Sequence, residues 1–339
     1  MITMDFITAL FYEVDEQVGA IPKHPEAHLW PSEVVTLGLL HALKGVGNRP
    51  FYRWLTRDYR ALFPHLPERT RLFRLLKTHH DWTQVFLAAP TVLGVIDTYG
   101  IELIHPMREG RSPQQIGRKG LSNHRWIVGG KLCLLLNQYG LVVGWDCATA
   151  NGADNTFQWL IRQVDGRMIV LSDTGFHAAE GDPSNLKLCQ RGKWEERMLV
   201  ETVLSMLTLV CHFKKVMHRG WAYFQARLAF TMAAFNVLVQ WHGLLPNASG
   251  FVPLSITGLV CNIPILLFGL SETNTIGYYA PSDFPGRHRA FIRLSPSYFH
   301  RPFHSSWDLP CSHSQTSKPC RAAHGQGCGG GRHLYGALS

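Results

Sequence analysis

The sequence predicts an α/β protein: a mixed sheet flanked by helices, preceded by a small all-helical N-terminal domain and followed by a largely irregular tail. Three observations predict it. Two short apolar runs, Val92-Leu93-Gly94-Val95-Ile96 and Met168-Ile169-Val170-Leu171-Ser172, each lead into an aspartate, Asp97 and Asp173. Runs of that length, bounded by glycine and polar residues, read as buried strands. Apolar residues recur at helical spacing before residue 88 and again between 197 and 241, and periodicity vanishes after Leu244. The boundaries so drawn are 1–88 (helical), 89–243 (α/β) and 244–339 (low-order tail).

The elements follow in order. Pro31-Ser32-Glu33 opens an apolar helix through Val34, Leu37, Leu40 and Leu43, closed by Gly45 and Gly47. Phe51-Tyr52-Arg53-Trp54-Leu55 interleaves aromatics with Arg53, Arg57 and Arg60. A further helix begins after Pro67 and carries Arg71 and Arg74 at helical spacing, with Leu72, Leu75 and Leu76 turned another way. A small helical unit with one basic face fits a DNA reader, its last helix serving as recognition helix. The same arginines read equally well as a solvated face.

Within 89–243, the strand ending at Asp97 is followed by Ile101-Glu102-Leu103-Ile104-His105, read as its hairpin partner. A basic, glycine-rich loop then carries Arg108, Arg111, Arg118, Lys119 and Arg125. Lys131-Leu132-Cys133-Leu134-Leu135-Leu136 and Leu141-Val142-Val143-Gly144-Trp145 flank the turn signal Asn137-Gln138-Tyr139-Gly140, predicting an antiparallel pair. A helix over 155–164 precedes the strand that delivers Asp173, and two long helices close the unit, one through Glu201 and one over 221–241. Asp146 and Asp154, near element ends, read as cap or turn residues.

Composition fits this plan. Of 339 residues, 17% are charged and 46% hydrophobic, which suits a large buried sheet, and the net charge of +9 favours a polyanionic partner. Eight cysteines without a CxxC pair read as reduced thiols, and Met1-Ile2-Thr3-Met4-Asp5 lacks a signal-peptide pattern, so a cytoplasmic location is expected. Residues 251–270 are uncharged and long enough to span a bilayer, but Pro253, Gly258, Pro264 and Gly269 interrupt them, and no membrane partner is expected. In the tail, Cys311, Cys320, Cys328, His313, His324 and His333 lack the spacing of familiar zinc modules.

The chemistry lies in three carboxylates. Asp97 and Asp173 leave adjacent core strands, and a helix across the strand ends can bring Glu201 to the same point. Three converging carboxylates repel one another unless divalent cations hold them, the arrangement for two-metal phosphoryl transfer. At about 100° per residue, Trp194, Arg197, Glu201 and Thr208 share one stripe of the helix, so Arg197 points towards a phosphate beside Glu201. Arg197 and Glu201 also fit an ordinary i,i+4 surface pair, a reading outweighed by the two aspartates preceding the helix. Arg118, Lys119, Arg125 and Lys131 are candidates for phosphate contacts.

Together these residues resemble a bacterial insertion-sequence transposase of the DDE type, with a ribonuclease H-like catalytic domain. The resemblance covers residues 30–243. It rests on Val95-Ile96-Asp97, Leu171-Ser172-Asp173-Thr174-Gly175-Phe176, Arg197-Met198-Leu199-Val200-Glu201-Thr202-Val203 and the glycine- and lysine-bearing strand region before Ala150-Asn151. Many relatives mark the last catalytic helix with Tyr, Arg, Glu and Lys at fixed intervals. Here Arg197 and Glu201 match, Trp194 stands for the Tyr and Thr208 for the Lys; an indole can stack on a base, but a threonine brings no charge.

The resemblance implies that Asp97 and Asp173 bind one Mg²⁺ jointly and that Glu201 completes a second site, with Mn²⁺ as a substitute. One metal activates water, the other stabilises the leaving 3′ oxygen, and the liberated 3′-OH attacks target DNA. It implies double-stranded DNA as partner (transposon ends and target), a homo-oligomer on paired ends, and a bacterial, nucleoid-associated location. Three alternatives stay open: a catalytically inactive transposase-derived DNA-binding protein, a ribonuclease H-like nuclease without strand transfer, and a membrane-associated protein anchored through Phe251 to Leu270.

Overall fold

A computed structural model describes residues 3–112, 115–122, 125–189, 197–213, 218 and 220–241. The chain opens with four helices, α1 (Thr3–Val18), α2 (Pro31–Lys44), α3 (Asn48–Asp58) and α4 (Arg69–Thr78). On α1 the buried residues Phe6, Ile7, Leu10, Val14 and Val18 follow helical spacing and form one stripe. The start of α2 is fixed by Pro31 at its first position and by the Glu33 carboxylate, which accepts from Trp30 N at 2.7 Å. Gly45 ends it in the left-handed region at φ 65°, which costs a residue without Cβ nothing. Almost every residue of α2 is buried because α1, α4 and the last helix all pack on it.

The sheet has six strands: β1 (Leu93–Ile104), β2 (Arg118–Ser122), β3 (Arg125–Asn137), β4 (Val142–Thr149), β5 (Ile169–Ser172) and β6 (Leu186–Leu188). β3 pairs antiparallel with β1 along one edge; along its other edge lie β2 and then β4, end to end, both antiparallel. β5 joins the far side of β1 in parallel, and β6 follows β5 in parallel. The turn between β3 and β4 is held by Asn137, whose Oδ1 accepts from Tyr139 N and Leu141 N, both at 3.0 Å, while Gly140 takes φ 76°.

One expectation is corrected here. Ile101-Glu102-Leu103-Ile104 is no hairpin partner of the run before it, but the second half of the same strand. Gly100 stays in register opposite Lys131, so pairing with β3 continues until a shift between Glu102 and Ile104. Asp97 is therefore a mid-strand residue, set where the short β5 ends beside it.

The two faces of the sheet carry different layers. Val95 of β1 and Leu132, Leu134 and Leu136 of β3 face a core shared with α6 (Arg197–Val210), α7 (Trp221–Trp241) and the N-terminal helices. Ile96, Cys133, Leu135 and Val170 face a second cluster with Phe157, Leu160, Ile161 and Val164 of the 3-10 turn Asp154–Phe157, of α5 (Gln158–Arg162) and of the segment after it. Alternation along β1 and β3 produces this division directly. Phe6 of α1 stacks on Trp241 of α7 with ring centroids 5.7 Å apart, so the first core runs without a break from the N-terminal helices to the last helix. Among the described residues α7 is the one helix long and apolar enough to cross a membrane, yet 83% of its apolar window is buried within the protein. Residues 251–270 and the tail with its Cys and His residues lie outside the described residues.

Candidate functional site

Asp97 pairs across the sheet with Leu134, so it shares the face on which α6 packs. Register places Val95 of β1 opposite Leu171 of β5, and two residues on stand Asp97 and Asp173. Adjacent strands lie about 4.8 Å apart, so the two aspartates leave neighbouring points of the sheet. Both are half-buried. Asp97 Oδ1 accepts from Thr98 N at 2.7 Å; Asp173 caps the short 3-10 turn Thr174–Phe176, its Oδ1 accepting from Gly175 N at 2.9 Å.

α6 packs against β1, and its apolar stripe, Val200, Val203 and Leu207 included, is buried. Glu201 stands exposed on this helix, and Arg197 opens it one turn earlier. Thr208 is turned into its own helix, its hydroxyl donating to Leu204 O at 2.7 Å. Trp194, Lys214 and Lys215 lie outside the described residues. Among the described residues no three His, Cys, Asp or Glu side chains are grouped so as to hold a metal ion. The donor chemistry of Asp97 and Asp173 nevertheless suits a hard, oxygen-seeking divalent cation.

The basic residues divide. Arg118 is exposed, Lys119 lies 3.3 Å from Glu109 and over the Trp126 ring, and Arg125 lies 3.4 Å from Glu102; these three line the exposed hairpin of β2 and β3. Arg71 and Arg74 are exposed on α4, opposite buried Leu72, Phe73 and Leu76. Lys131 departs from its expected role. Its ammonium donates to Asp154 Oδ1 and Gly152 O, each at 2.7 Å, and only 14% of its side chain is exposed. A lysine on the inward row of an apolar strand must find a buried counter-charge, and Asp154 provides it.

Asp154 is the residue whose reading changes most. It is the first residue of a 3-10 turn whose cap position is Ala153, and its Oδ1 accepts from Thr98 Oγ1 at 2.9 Å. It thus sits against the residue next to Asp97. The lone lysine of the run Lys131-Leu132-Cys133-Leu134-Leu135-Leu136 was the available signal, because it demands an acidic partner on that face. Below these groups Cys133 is fully buried; burial first, then the carboxylates of Asp154, Asp97 and Asp146, push its thiol well above the usual range. His177 is exposed in the loop after Asp173 and lies 2.8 Å from Asp182, whose carboxyl that hydrogen bond holds below its usual range.

No protein-family model matches the chain, and a search of curated proteins finds none that matches.

Proposed function

We propose that this chain is a DDE-type transposase whose ribonuclease H-like domain cuts DNA at the ends of its element and joins the 3′-OH to target DNA. The observation that carries the reading is the register of β1 and β5, which sets Asp97 and Asp173 two residues past the pair Val95 and Leu171 in a sheet ordered β2-β3-β1-β5-β6, with β4 also on β3. The antiparallel set β1, β3 and β4, with β2 as an added strand on β3, followed by the parallel β5 and β6, supports the ribonuclease H-like assignment. The helix bearing Glu201 on the same face as Asp97 supports its place as third carboxylate.

In this reading Asp97 and Asp173 hold Mg²⁺ with Glu201, and Mn²⁺ substitutes. The ions supply Lewis-acid charge for the negative charge that develops on phosphate oxygens. The chain's own groups bind and orient: Arg197 and Trp194 contact the DNA end, Arg118, Lys119 and Arg125 hold backbone phosphates, and Arg71 and Arg74 dock the helical region on the duplex. DNA paired in this way calls for a homo-oligomer and a nucleoid location.

The test is cleavage of a duplex carrying the element's flanking ends, with Mg²⁺, by the native chain and by Asp173→Ala. Cutting by the native chain alone is expected. Equal cutting by both overturns the assignment of Asp173, and no cutting by either overturns the enzymatic reading. Thr208, turned into its helix where relatives carry a cation, favours a second reading, DNA binding without catalysis, for which tight binding with no cutting is the signature.

A further inference from the structure

We propose that Asp154, clamped by Lys131 and Thr98, is a positioning residue that sets the carboxylates of Asp97 and Asp173. The inference rests on the proposed function and deepens it. Three segments meet at Asp154: β3, β1 and the turn at Gly175. Lys131 of β3 donates to Oδ1 at 2.7 Å, and Thr98 of β1 donates to the same oxygen at 2.9 Å. Thr98 is also the residue whose amide fixes Asp97 Oδ1, at 2.7 Å. A continuous chain of bonds therefore runs from the Lys131 ammonium through Asp154 and Thr98 to Asp97.

The second oxygen of Asp154 lies beside the turn that Asp173 caps. A methyl group added to Gly175 would meet Asp154 Oδ2 at 2.9 Å and Asp173 Oδ1 at 3.0 Å. Both carboxylates crowd the one place that glycine leaves empty. Gly175 N meanwhile donates to Asp173 Oδ1 at 2.9 Å. Asp154 thus touches the settings of both aspartates while sitting on the opposite face of β1 from Asp97.

The charges make this arrangement conditional on Lys131. Part-buried carboxylates on neighbouring segments repel one another, and the part-buried Lys131 ammonium offsets the charge of Asp154 without leaving the sheet. A purely structural ion pair would be replaceable by apolar residues of similar size. Here replacement would release Thr98, and with it the orientation of Asp97. Groups that orient metal-binding carboxylates through hydrogen bonds change metal affinity when lost.

The experiment measures Mn²⁺ binding to the full chain by the loss of the free-ion paramagnetic resonance signal, with thermal melts alongside. The variants are Asp97→Ala, Asp173→Ala, Asp154→Ala, Asp154→Asn and Gly175→Ala. Asp97→Ala and Asp173→Ala are expected to lose binding. Asp154→Ala should weaken it about tenfold. Asp154→Asn, which keeps an acceptor for Thr98, should weaken it less, and Gly175→Ala should weaken it with every charge retained. If the Asp97 and Asp173 variants lose Mn²⁺ while Asp154→Ala and Gly175→Ala bind as the native chain does, the inference fails and the proposed function stands. If the native chain binds no Mn²⁺, or Asp97→Ala and Asp173→Ala bind it normally, the proposed metal site fails and the inference with it. Should Asp154→Ala not fold, native affinity in both Asp154→Asn and Gly175→Ala overturns the inference.

Discussion

The side-chain amide of Asn236 and the peptide of Val142 close on each other: Oδ1 accepts from Val142 N at 2.9 Å, and Nδ2 donates to Val142 O at 2.8 Å. The same Nδ2 donates to Phe86 O at 2.9 Å, and Asn236 is fully buried. One side chain of α7 thereby serves the first residue of β4 and the segment leading into β1. Asn236→Leu removes its bonds to Val142 N and Phe86 O in the core, while Val142 O keeps the Ala88 amide at 2.9 Å. A loss of about 2–4 kcal/mol is expected, read as a lower urea midpoint at unchanged slope. Asn236→Asp should be no better, because a carboxylate cannot donate to the two carbonyls.

Arg227 plays a related part at the end of α2. Its guanidinium donates to the carbonyl of His41, and to that of Ala42 at 2.9 Å, in the last turn of that helix. Burial lowers its pKa to about 10, which leaves it cationic at neutral pH and favourably placed at the negative end of the helix. A lysine ammonium lacks the planar fork by which two guanidinium nitrogens each reach a carbonyl. Arg227→Lys should therefore cost about 2 kcal/mol or more, and Arg227→Met at least as much, measured by denaturant unfolding.

Stability should fall on mild acidification. Burial, followed by the neighbouring Arg227 charge, holds His41 well below 6.5 and His218 at about 4. The unfolded chain takes up these protons near pH 6.5 and the folded chain does not, so stability is fully present above that value. It declines as pH drops towards 4, by roughly 3 kcal/mol for His218 alone. His218→Gln should flatten unfolding free energy against pH between about 6.5 and 4; an unchanged profile would remove His218 from the account.

Salt should separate the basic residues. Arg118→Ala is expected to weaken DNA binding across sequences and to reduce the slope of log affinity against log salt by about 1. Lys131→Met should leave that slope unchanged, because its ammonium is engaged by Asp154. Fluorescence anisotropy over a salt series decides between them, and an unchanged slope in Arg118→Ala would take the β2–β3 hairpin out of the interface.

Much of this arrangement is legible in the residues themselves. The strands of Asp97 and Asp173, the turn at Asn137-Gln138-Tyr139-Gly140, and the helices through Leu37, Leu72, Glu201 and Phe230 all follow from local periodicity and turn chemistry. Two things were not local. Whether the chain turns after Asp97 depends on β3, which lies some thirty residues ahead and pairs straight through Gly100. The partner of Lys131 likewise depends on the loop after β4 folding back beneath β1. Asp154 reads as a turn residue and does open the 3-10 turn, and its other role exists only once Thr98 and Lys131 are beside it.

The stacking of Phe6 on Trp241 has a consequence for how the chain is made. As synthesis proceeds from the N-terminus, α1 and α2 emerge first, but the surface they bury against is supplied by α7, near the far end of the described chain. Until it arrives, Leu39, Leu40 and Leu43 face water or an improvised partner. Contacts so distant in sequence close slowly. The arrival of α7, rather than the folding of any earlier helix, then sets the moment at which the N-terminal layer acquires its final shape.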